Sequence, residues 1–160
     1  MAQRPSFDMT KLSTADKILA GGSLLLFIDS FLSWQRVCSA DIPGLGRICA
    51  SANAWGGNGS FAGVLMSLLA LLLLAGTVAV VAGVSLPVTI PTSTVLSGLT
   101  AGTVLFGIIK FLFVVGNHGA LGAWIGLILI LAVAYGGYMK MQEQKTVPPT
   151  SGFTPPPAGP

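Results

Sequence analysis

Four long apolar runs constrain this chain more than any other feature: Ile18–Trp34, Phe61–Val84, Val95–Val115 and Gly119–Tyr138. A helix rises 1.5 Å per residue, so about 20 residues cross ~30 Å of hydrocarbon. Each run reaches or approaches that length. Runs such as Leu68-Leu69-Ala70-Leu71-Leu72-Leu73-Leu74 are continuous and do not alternate, which favours helices over a β-barrel. Only 8% of the 160 residues are charged and the mean hydropathy is +0.81. A soluble domain carries about 25% charge, so that class is excluded, and no room remains for a large catalytic domain. The expected fold is an all-α membrane protein, a four-transmembrane-helix bundle with a small disulfide-closed extracellular hairpin loop.

The chain divides into a polar N-terminal segment over 1–17, a membrane domain over 18–138 and a Pro-rich tail over 139–160. Ser13 followed by Asp16 resembles a capping box and predicts a helix start. The first run is long for a signal-peptide core and contains Asp29, and the nearest small-residue pattern, Ser39-Ala40, follows Arg36 and lies between the cysteines, so the run is read as a retained span. Pro87 and Pro91 predict the turn between spans two and three, and Gly116-Asn117-His118 a tight connection between spans three and four. Six of the ten prolines fall in Val147–Pro160, which predicts a disordered, polyproline-rich extension, a spacer or a docking peptide.

Lys and Arg set the orientation. Arg4, Lys11, Lys17, Lys140 and Lys145 flank the two termini, against Arg36 and Arg47 in the first loop. Five against two predicts a multi-pass cell-membrane protein with both termini cytoplasmic. Net charge is +3, but the basic residues form no cluster, so nucleic acid is not an expected partner. Trp34, Trp55 and Trp124 all fall at the predicted outer interface and are expected to act as interfacial anchors.

Cys38 and Cys49 lie in that outer loop, on either side of Pro43-Gly44. An oxidising compartment permits one disulfide, and the arms Arg36–Ile42 and Gly46–Ala52 predict a β-hairpin that it clasps. Gly56–Ser60 reads as a flexible loop leading into span two.

Of the thirteen charged residues, only Asp29 and Lys110 lie within spans. Ionisable groups in hydrocarbon are costly and mark sites by default. Each is five residues from the outer end of its span, and each lies on a stripe of small or polar residues: Gly22 and Ser33 for Asp29; Gly107, Thr103 and Thr100 for Lys110. The expectation is an intramembrane ion pair between spans one and three. Gly98 and Gly102, Gly122 and Gly126, and Ala75, Ala79 and Gly83 recur at four-residue spacing and predict close helix packing. His118 is the only histidine and has no nucleophile motif beside it. With no catalytic, cofactor or metal signature, the chain is expected to be non-enzymatic, without cofactor or metal.

The segments Lys11–Trp34, Ser51–Gly57 and Gly119–Tyr138 resemble small uncharacterised actinobacterial four-span integral membrane proteins. Trp34, Cys38 and Cys49 also echo claudin-like proteins, though the Gly-Leu-Trp element before the first cysteine is missing. Four spans with an acid in the first are similar to the small multidrug-resistance transporters, with Asp29 in place of their glutamate. None of these resemblances carries over a functional residue, and the expected function is that of a non-enzymatic structural or accessory membrane protein interacting with partners in the cell envelope. Its partners would be the lipid bilayer and other membrane subunits or a second copy. A small transporter or channel subunit using Asp29 and Lys110 is the alternative.

Overall fold

The computed structural model describes residues 12–40, 43–44, 46–83, 92–116 and 119–146. The segment holding Pro87 and Pro91, the Asn117-His118 pair and the Pro-rich tail lie outside the described residues.

Ser13 starts the first helix as the sequence predicts. Its Oγ accepts from the Asp16 backbone N–H at 3.2 Å and donates to Asp16 Oδ2 at 3.0 Å. Helix α1 then runs over Thr14–Asp29. A short antiparallel hairpin follows, β1 (Gln35–Cys38) paired with β2 (Cys49–Ala52), with Cys38 directly opposite Cys49. Among the described residues three long helices follow: α2 (Ser60–Val81), α3 (Thr92–Val115) and α4 (Leu121–Thr146). The last extends eight residues past Tyr138, so the segment assigned to the tail begins as helix.

Three helices are long and apolar enough to cross a membrane: Ser60–Val81, Thr92–Val115 and Leu121–Glu143. Helix α1 is not. The first run was expected to be helical to Trp34, but the helix stops at Asp29 after 16 residues, or about 24 Å. The chain then turns through Ser30–Ser33 into the hairpin.

The helices sit in cyclic order. α1 packs on α2 and α4, and α3 packs on the same two, so α1 and α3 occupy diagonal corners. Leu19, Leu73, Leu96 and Val133 form one core layer, and Leu26, Trp34, Met66, Val114 and Ile130 form another nearer the hairpin. Hydroxyls in these apolar helices bond back to their own chain: Ser67 to the Gly63 carbonyl, Thr77 to Leu73, Thr100 to Leu96 and Thr103 to Leu99, each at 2.8 Å. This satisfies them without an outside partner. At the opposite end from the hairpin, Lys140 Nζ meets Asp16 Oδ1 at 2.7 Å and ties the start of α1 to the last part of α4.

The glycines differ in use. A Cβ at Gly122 would lie 2.6 Å from the Ser33 carbonyl oxygen, and one at Gly126 would collide with the Trp34 ring and sit 2.8 Å from Asp29 Oδ2. A Cβ at Gly102 would lie 3.0 Å from Leu69 Cδ1 of α2. Gly98, predicted to pack with them, has nothing within 4 Å. It lies on the exposed face of α3, because a stripe at four-residue spacing drifts around the helix.

Candidate functional site: the hairpin and its anchorage

The hairpin is attached to the bundle through Trp34, the residue between the α1 turn and β1. Its N–H donates to the Ala52 carbonyl at 2.9 Å and its carbonyl accepts from Ala120 N–H at 2.8 Å. Its indole Nε1 donates to the Asp29 backbone carbonyl at 3.1 Å, so the last turn of α1 is capped by a side chain five residues on. The ring lies over Gly126 of α4 and has no solvent exposure. The expected interfacial anchor is therefore a core residue. The Ala52 carbonyl of β2 and the bare Gly126 of α4 close around it.

The other two tryptophans differ. Trp55 is half-buried, donates Nε1–H to Ser30 Oγ at 2.9 Å and stacks on Phe31 at 5.7 Å. Trp124 is 51% exposed and meets Phe111 edge to face at 5.4 Å.

Lys110 is fully buried, and its partners are backbone carbonyls. Nζ donates to the Gly56 carbonyl at 2.9 Å and to the Asn58 carbonyl at 2.8 Å. Asn58 N–H in turn donates to Gln35 Oε1 at 2.9 Å. Gln35 also bridges to Gly119. The Gly56–Ser60 segment, expected to be a flexible loop, is thus held from below by the ammonium and from the side by the base of β1. Gly57 and Gly59 adopt φ of 68° and 67°, left-handed values that glycine reaches without strain. At the start of α2, the Ala54 carbonyl rests where a Cβ of Gly63 would be.

Asp29 does not pair with Lys110. Asp29 is 98% buried, and neither carboxylate oxygen has a hydrogen-bond partner of good geometry among the described residues. It faces Gly126 on α4, while Lys110 faces the loop before α2. The stripes of small residues point both groups inward as expected. However, α1 and α3 sit diagonally, the ammonium is engaged by the Gly56 and Asn58 carbonyls, and the carboxylate lies against Gly126 of α4. Sequence reasoning missed this because helix periodicity fixes the face a residue takes and not the neighbour opposite it. It also missed Gln35, whose position next to Trp34 was the only available signal.

The disulfide forms as read: Cys38 and Cys49 are bonded with Cα atoms 4.0 Å apart. On either side of it the hairpin is exposed, with Val37 55% and Ile48 57% accessible. Beside it, a recess of about 370 Å³ opens between Arg36, Ser51 and the start of α4. Among the described residues no three His, Cys, Asp or Glu side chains converge on a possible metal position. No family model matches the chain, and no curated protein or solved structure is similar to it.

Proposed function

We propose that this chain is a non-enzymatic structural or accessory protein of the cell envelope. In this reading it crosses the cell membrane four times, keeps both termini in the cytoplasm and presents the disulfide-clasped hairpin outside to other membrane subunits or to a second copy. The observation that carries the reading is the anchorage of the hairpin. The buried Lys110 ammonium and the buried Trp34 indole are both spent on holding the loop ends, and that leaves Val37 and Ile48 exposed on a fixed base. A fixed apolar edge loses little conformational entropy on docking.

Two features support α1 as the fourth membrane segment. Leu24, Leu25, Ile28 and Phe31 form an apolar exposed face that lipid would cover, and the turn to Trp34 adds length beyond the helix. The Lys140–Asp16 bridge holds the start of α1 beside the end of α4, as an even number of crossings requires. The alternative, a transporter or channel subunit, has less support, since Asp29 and Lys110 serve different neighbours.

Photo-crosslinking residues placed at Val37 and Ile48, with Leu131 as a lipid-facing control, test the proposal in the native membrane. A discrete protein adduct from the hairpin positions, lost in Cys38→Ser/Cys49→Ser, is expected. Lipid adducts alone, together with a solute flux in vesicles that Asp29→Asn or Lys110→Met abolishes, would favour transport instead.

A further inference from the structure

One groove on the bundle has no role in holding the hairpin. It lies between α3 and α4 toward the end that carries the chain termini, has a volume of about 410 Å³ and is almost wholly apolar. Ala101, Val104 and Ile108 of α3 form one wall, and Ala134, Gly137 and Met141 of α4 form the other. Small side chains keep it open, and Gly137 gives it a floor: a Cβ there would lie 2.5 Å from Thr100 Cγ2.

The groove follows α3 from Ser97 to Ile108. Its eleven residue steps at 1.5 Å make about 16 Å, which matches the ~15 Å depth of one leaflet. A protein helix would not be limited to that depth, whereas an acyl chain is. One turn beyond the last lining residue, helix periodicity puts a cation on the groove-lining face of α4. Ala134, Tyr138, Met141 and Lys145 recur at steps of four, three and four residues and so share one face of α4. Side chains on a helix lean toward its N-terminus, which directs the Lys145 stem back over Met141. Lys145 is exposed and has no ion pair among the described residues, unlike Lys140, which Asp16 and Glu143 engage.

We propose that this groove is a binding site for one anionic phospholipid of the leaflet on the terminal side, with an acyl chain between α3 and α4 and the phosphate at Lys145. The inference rests on α3 and α4 crossing the bilayer and not on the role of the hairpin. Failure of the crosslinking experiment would leave it standing.

The full chain, reconstituted in vesicles of equal phosphatidylglycerol and phosphatidylcholine and then extracted gently, is examined for retained lipid by native mass spectrometry. The wild type is expected to retain one phosphatidylglycerol. Ala134→Phe, which fills the groove, is expected to lose it. Lys145→Gln is an exposed change that leaves packing untouched. It is expected to keep one lipid but lower the preference for phosphatidylglycerol by about fivefold, the effect of one basic residue near an anionic headgroup. A wild type with no retained lipid, an Ala134→Phe protein that retains as much, a Lys145→Gln protein with unchanged preference, or a second copy of the chain occupying the groove would each overturn the proposal.

Discussion

Removing charge at Lys110 and at Asp29 should have unequal consequences, because only Lys110 holds anything. Lys110→Met withdraws two charge-assisted hydrogen bonds, each of about 1.5–3 kcal/mol, from the Gly56 and Asn58 carbonyls. Amide hydrogen exchange over residues 54–60 should rise by about a hundredfold or more, since the two bonds together are worth about 3–6 kcal/mol. Asp29→Asn takes a formal charge from a buried site where no donor is lost. Unpartnered buried charge is costly, so thermal unfolding of this variant in detergent should occur at the wild-type temperature or above. Breaking a true buried pair would cost about 3–5 kcal/mol, and a drop of that size in both variants would restore the pair. That both residues face inward was legible from their small-residue stripes. Their partners were not, since backbone carbonyls of a loop carry no sequence signature.

Among the elements, the hairpin was the most readable and α1 the least. Two cysteines around Pro43-Gly44 specify an antiparallel pair by turn chemistry and spacing alone. The end of α1 is decided by tertiary bonds: Trp34 turns back to cap Asp29, and Ala54 N–H donates to the Ser30 carbonyl at 3.0 Å. No local signal in the apolar run to Trp34 announces either bond. The α1–α4 seam also separates glycines that look alike in sequence. Gly126→Ala drives a methyl into the Trp34 ring and should destabilise the protein by about 1–3 kcal/mol. Gly98→Ala faces open space on a helix and should be neutral or stabilising by up to ~1 kcal/mol. Thermal unfolding of the two variants side by side checks this. Cys38→Ser with Cys49→Ser should cost the hairpin about 3 kcal/mol, seen as faster exchange over residues 35–52. The helices, which do not depend on the bond, should keep their protection.

At the scale of the molecule, opposite ends of the bundle have opposite characters. One end is knitted by Trp34, Gln35 and Lys110 around a disulfide-closed hairpin, and the other is closed by the Lys140–Asp16 bridge. The cysteine pair and the Ser13–Asp16 helix start marked these two ends in the sequence. The diagonal placement of α1 and α3 was not available there, because four amphiphilically similar rods can be ordered in several ways. Cysteine labelling in sealed membranes tests the account most directly. In a Cys38→Ser/Cys49→Ser background, Lys17→Cys and Lys145→Cys should both react with an impermeant maleimide from the cytoplasmic side only, and Ile48→Cys from the outside only. Labelling of Lys17→Cys and Lys145→Cys from opposite sides would reduce the chain to three crossings and contradict the proposed arrangement.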